Sequence, residues 1–124
     1  MTTHTDDRPV TVLVVEDEQD QRQLLTVYLN RAGCTVIAAG DAEAGLARIE
    51  GVELDLAVID LLLPGMSGWS LAEALQQRHP QVPIVVTSVL DAESYPIAHT
   101  ALPKPFTNAQ LREVLRTLTR WAPR

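Results

Sequence analysis

Short apolar runs alternate with helically spaced apolar positions along the whole chain. Val10 to Val15 (VTVLVV) is continuous and β-branched, the composition of a strand covered on both faces. Glu18 to Ala32 follows as a helix, with Leu24, Leu25, Tyr28 and Leu29 on one face and Gly33 as its stop. Cys34 to Ala39 (CTVIAA) reads as a second strand. Asp41 then caps a short helix reaching about Glu50, with Ala44, Leu46 and Ile49 available for packing. Leu54 to Asp60 (LDLAVID) is a third strand that ends on a carboxylate. Leu61 to Ser67 carries Pro64 and Gly65 and reads as a loop, and Trp69 to Arg78 as a helix with Trp69, Ala72 and Leu75 facing inward. Ile84 to Ser88 (IVVTS) and Thr100 to Lys104 supply a fourth and a fifth strand. The last helix opens at Thr107 with Gln110 placed for a capping box. Leu111, Val114, Leu115 and Leu118 make its apolar stripe, with Trp121 expected to fray at the end.

Strands alternating with helices over short connections imply right-handed βαβ units and a parallel sheet with helices on both faces. Five such strands predict an α/β flavodoxin-like, doubly wound sheet of order 2-1-3-4-5. Its chemistry belongs beyond the carboxyl ends of the strands, at the topological switch point.

Length and composition narrow the field. The chain has 124 residues, enough for one domain with a modest core. Residues 1–8 (MTTHTDDR) are polar and expected to be a disordered tail, leaving 9–124 as the domain. No apolar run approaches the ~20 residues a membrane span needs, and no signal peptide is visible. A net charge of −6 without a Lys/Arg cluster argues against direct nucleic-acid binding. The single cysteine, Cys34, excludes an internal disulfide, suits the cytoplasm and reads as a buried, inert thiol.

The residues at the strand ends form a chemical set: Glu16 and Asp17 after the first, Asp60 at the third, Thr87 and Ser88 at the fourth, Lys104 at the fifth. Carboxylates gathered without a cation repel; a like-charged pair ~4 Å apart costs about 4 kcal/mol at an effective dielectric of ~20. Mg²⁺ resolves this, since it takes oxygen ligands from one or two carboxylates plus water and phosphate. Asp17 and Asp60 are the expected direct ligands, Glu16 acts through a water, and the backbone carbonyl of Leu62 completes the protein's share. The same set suits phosphoryl transfer, with Asp60 as nucleophile and Lys104 and the Ser88 hydroxyl on the phosphoryl oxygens. Taken singly, each piece has a plain structural reading: a solvated capping pair, a turn-forming Asp, a Lys-Pro of no consequence. Their joint placement on separate strand ends is what points to chemistry.

VLVVEDE, LAVIDLLLPGMSGW, PIVVTS and LPKPF resemble, in that order and across essentially the whole chain, the receiver domains of bacterial two-component response regulators. The likeness is to the single-domain, chemotaxis-receiver type. It implies an acidic pair at Glu16 and Asp17, the phosphoacceptor at Asp60, a switch hydroxyl at Ser88, a phosphoryl-pairing Lys104 and a cis Lys104–Pro105 bond. It also implies a signalling switch rather than a turnover enzyme, phosphorylated by a histidine kinase or phosphotransfer protein that docks on the first helix. If 124 residues are the whole protein, output passes to a protein target or the phosphoryl group moves on.

Three features depart from the family pattern. The stretch from Ser88 to Lys104 is short and interrupted by Pro96, so the fourth helix is expected to be degenerate, with the Val89–Thr100 loop as the switching element. The position of the family's aromatic switch is Ala101, so coupling through an aromatic ring there is unavailable; Tyr95 or His99 could substitute, although the favoured reading of both is as surface loop residues. Val89 stands where Ala or Gly is general, a branched side chain expected to narrow access for phosphodonors; Leu62 and Leu90 flank the acceptor without polar groups to orient an attacking water, which predicts slow phosphoryl loss. Two other classes stay open. A non-phosphorylated pseudo-receiver keeps the fold alone. A haloacid-dehalogenase-type phosphatase would want Asp where Leu62 stands, and a flavodoxin a phosphate loop where Glu16 and Asp17 stand.

Overall fold

The computed structural model describes residues 8–88 and 100–123. Five parallel strands form one sheet: β1 (Thr11–Val15), β2 (Thr35–Ala39), β3 (Leu56–Asp60), β4 (Ile84–Ser88) and β5 (Thr100–Pro103). Their order is β2-β1-β3-β4-β5, the doubly wound arrangement the alternation predicts. Among the described residues four helices accompany it: α1 (Gln19–Arg31), α2 (Ala42–Arg48), α3 (Gly68–Arg78) and α4 (Asn108–Leu118). The expected degenerate helix before β5, with Val89, Leu90, Tyr95, Pro96 and His99, lies outside the described residues, as do residues 1–7 of the expected tail.

Each helix begins where its sequence allows. The side chains of Glu18, Asp41, Ser67 and Thr107 accept a backbone N–H of the first turn of α1, α2, α3 and α4 respectively. At α4 the Gln110 side chain accepts the Thr107 N–H in return, completing the box. After α1 the chain turns at Gly33, whose φ of 93° lies in the left-handed region.

Alternation along the strands divides the core in two. Val12, Val14, Leu56 and Val58 face Leu25 and Leu29 of α1 and Leu111 and Leu115 of α4. Leu13, Val15, Ala57 and Ile59 face Ala42 and Ile49 on the α2 side and Leu71, Ala72 and Leu75 of α3. Both faces of the central strands are thereby covered, which is why β3 and β4 are buried at every position. Cys34 is a buried free thiol, its pKa pushed up to about 11 by burial and then by the charge of Asp55.

Three side chains depart from the sequence expectation. Leu24 and Trp69 are exposed, because α1 and α3 present Leu25 with Leu29, and Leu71 with Ala72 and Leu75, to the sheet instead. Trp121 does not fray. It is buried, its indole N–H donates to the Ala32 carbonyl at 2.7 Å, and Arg112 lies 5.2 Å from its ring centroid. Among the described residues no helix is long and apolar enough to cross a membrane.

Candidate functional site

The sheet order reverses between β1 and β3, so the connections leaving these two adjacent strands diverge and open a crevice at their carboxyl ends. Glu16 and Asp17 follow β1 directly, and Asp60 is the last residue of β3. On the far side β4 ends at Ser88, and Lys104 follows β5. Ladder bonds extend past the strands to fix these positions: Glu16 N–H donates to Ala39 at 3.1 Å, Leu61 N–H to Thr87 at 3.2 Å, and Lys104 N–H to Ser88 at 2.9 Å.

Lys104 gathers the carboxylates. Its ammonium donates to Glu16 Oε1 at 2.7 Å and to Asp60 Oδ2 at 2.8 Å. The remaining oxygens of the two acids take backbone donors, Glu18 N–H on Glu16 Oε2 at 3.1 Å and Leu62 N–H on Asp60 Oδ1 at 2.9 Å. Glu16 and Asp60 are buried, whereas Asp17 is exposed at the mouth. Burial raises the Glu16 pKa and the charge of Asp60 adds to it, against the hydrogen bonds from Lys104 and Glu18. Desolvation opposes the charge on Lys104 too, but its bonds to Asp60 and Glu16 outweigh this and raise its pKa.

One oxygen each from Glu16, Asp17 and Asp60 lies within 4.8 Å of the others. An octahedral Mg²⁺ with bonds of ~2.1 Å places ligand oxygens about 3–4 Å apart, so small side-chain adjustments suffice, and the all-oxygen donor set is the one this hard cation prefers. The residues present fit the ion. Ser88 is buried at the end of β4, where the register pairs Thr87 with Asp60 and Ser88 with Pro103. The Leu62 side chain is exposed beside the acceptor strand. The Lys104–Pro105 peptide is cis.

The predicted residues thus reach one rim from β1, β3, β4 and β5. The sequence pattern does not single out Arg22, whose guanidinium donates to the Glu16 carbonyl at 2.7 Å. The only signal was a basic residue one turn after the helix-capping Glu18.

Comparison with known proteins agrees with this geometry. Residues 12–116 match the sequence model of the response regulator receiver domain. The probable transcriptional regulatory protein TcrX of Mycobacterium tuberculosis is 31% identical over 121 residues, covering 93% of this chain and 52% of TcrX. The chain thus spans about half the length of that relative. The receiver domain of NtrX from Brucella abortus superposes with a TM-score of 0.81 at 30% identity, over 86% of this chain and 96% of that one. The response regulator TrrA from Thermotoga maritima, solved in complex with Mg²⁺–BeF, gives a TM-score of 0.80 at 25% identity, over 88% of this chain and 98% of that one. With the sheet order, the acidic rim and a match across most of its length, this chain belongs to the receiver-domain family of two-component response regulators.

Proposed function

We propose that the chain, through a receiver unit spanning residues 9–124, is a cytoplasmic phosphoacceptor switch that takes a phosphoryl group on Asp60 in the presence of Mg²⁺. The observation that carries this reading is the convergence of Glu16, Asp17, Asp60 and Lys104 at the carboxyl end of one sheet. Asp17 and Asp60, with the Leu62 carbonyl and Glu16 through a water, would hold the cation. Bound there, Mg²⁺ would offset the carboxylate charges and the charge of the incoming phosphoryl oxygens.

An Asp60 carboxylate oxygen attacks phosphorus; the new P–O bond forms as the P–N bond of a phosphohistidine donor breaks, and the imidazole departs. Lys104 moves from sharing its charge between two carboxylates to pairing with a phosphoryl oxygen, and the Ser88 hydroxyl takes another. The product adds nearly two negative charges, a change large enough to bias a two-state element. The chain is a signalling module rather than a turnover enzyme. Its donor is a histidine kinase or phosphotransfer protein, and its output is contact with a protein target.

The test is intact-mass measurement after incubation with Mg²⁺ and acetyl phosphate or phosphoramidate. One phosphoryl adduct that requires Mg²⁺ and is absent from Asp60→Asn supports the reading. Because Leu62 offers no polar group to orient water, the adduct should persist for minutes or longer at room temperature. Absence of an adduct from small donors and from a histidine-kinase donor alike would leave a non-phosphorylated interaction module.

A further inference from the structure

The acidic turn after β1 is held by an arginine outside the predicted set. Arg22 Nη1 donates to the carbonyl oxygen of Glu16 at 2.7 Å and approaches that of Asp17 at 3.4 Å. Its own backbone is fixed in the first turn of α1, where the Arg22 N–H bonds the Glu18 carbonyl at 2.9 Å and the Arg22 carbonyl accepts the Thr26 hydroxyl at 2.8 Å. The guanidinium rests against the end of β2: a Cβ added at Gly40 would stand 3.4 Å from Nη1. Arg22 therefore ties α1, the end of β2 and the β1–α1 turn together.

The two acids of that turn depend on this differently. The buried Glu16 side chain has its own partners in Lys104 and the Glu18 N–H. Asp17 is exposed, so what the fold fixes is its Cα–Cβ bond, the base from which its carboxylate reaches the cation, and that is set by the backbone that carries it. That backbone is held by the Glu16 N–H bonded to Ala39 on one side and by the Arg22 guanidinium on the carbonyls. A guanidinium suits the task, because Nη1 carries two N–H groups in a fixed plane and can direct a charge-assisted bond to one carbonyl while lying near the next.

We infer that Arg22 is a positioning residue for the cation site: it holds the Glu16–Asp17 turn so that Asp17 is aimed before Mg²⁺ arrives, and thereby sets Mg²⁺ affinity. Its positive charge alone would act in the opposite sense and weaken cation binding. The two effects are separable by experiment. The inference rests on the cation site of the proposed function and not on the acceptor chemistry of Asp60.

The test is the Mg²⁺ dissociation constant by titration calorimetry on the full chain for wild type, Arg22→Met, Arg22→Lys and Gly40→Val, with thermal melts of each without Mg²⁺. Partners that orient metal ligands typically contribute 10–100-fold in affinity, and this one acts through backbone, so about a tenfold weakening is expected for Arg22→Met. Arg22→Lys, which keeps the charge and a donor group but loses the planar guanidinium, should fall between it and wild type. Gly40→Val leaves the arginine in place but fills its seat, so it should weaken Mg²⁺ binding in the same direction and stands in should Arg22→Met fail to fold. Adduct formation by Arg22→Met should regain the wild-type rate at saturating Mg²⁺, a shift in Mg²⁺ dependence that general destabilisation would not produce. Unchanged or tighter Mg²⁺ binding in both Arg22→Met and Gly40→Val overturns the inference, as does a rate that stays low at saturating Mg²⁺. If the wild type binds no Mg²⁺, the cation-site reading fails, and this inference with it.

Discussion

The ammonium of Lys104 lies 2.8 Å from Asp60 Oδ2 and holds Glu16 with the same group, so one cation balances two buried carboxylates. Removing it leaves like charges facing each other in a site of reduced dielectric. Lys104→Met should lose about 3 kcal/mol of stability at neutral pH, the scale expected when one partner of a mostly buried pair is deleted. The variant should also bind Mg²⁺ more tightly than wild type, since no ammonium competes for the acids, and be rescued further by it. Urea unfolding with and without Mg²⁺ checks both. A loss that Mg²⁺ repairs no better than it stabilises wild type would show that the ammonium does not balance this pair.

Gly68 controls how closely α3 approaches the acceptor strand. Its N–H donates to the Leu61 carbonyl at 3.1 Å, and a Cβ there would meet the Asp60 carbonyl oxygen and Leu61 Cα at 2.5 Å each. Both are backbone atoms, so no side-chain rotation relieves the clash. Gly68→Ala should cost about 1–3 kcal/mol, as overpacking does, and should slow adduct formation by displacing the Asp60–Leu62 turn. Thermal melting and the rate of the mass shift measure the two effects. A variant as stable and as fast as wild type would mean the turn gives way freely.

The strand order and the acidic rim were legible because both follow from local pattern. Continuous apolar runs declare buried parallel strands, and the rule that sites lie at carboxyl ends then collects Glu16, Asp17, Asp60, Ser88 and Lys104 without further information. Arg22 and Trp121 were not legible for a shared reason. Each acts through a backbone carbonyl, Glu16 for one and Ala32 for the other, and a carbonyl carries no residue-type signature. Trp69 misled because helical spacing fixes which positions share a face but not which edge of that face meets the sheet, and α3 buries Leu71 and Leu75 in preference.

The opposite end of the sheet carries a second charge cluster, with a pH signature of its own. Asp55, just before β3, accepts hydrogen bonds from Arg8 Nη1 and Nη2 at 3.0 and 3.1 Å, from Arg120 Nη1 at 2.7 Å and from the Thr11 N–H at 2.8 Å. Arg120 also donates to the carbonyls of Arg8 and Pro9, so the cluster joins the residues before β1 to those after α4. Burial alone would raise the Asp55 pKa; the bonds from Arg120, Thr11 and Arg8 prevail and lower it. A carboxylate with a depressed folded-state pKa contributes stability that is complete above its unfolded value, about 3.9, and is lost as pH falls through the lower folded value. Asp55→Asn should therefore cost about 2 kcal/mol at pH ~7, the scale of hydrogen bonds to a charged group. The gap between variant and wild type should hold near pH ~5 and close below pH ~4. Urea unfolding of both proteins across that range measures it, and a gap that stays constant into acid would mean the carboxylate charge contributes nothing to holding the two ends together.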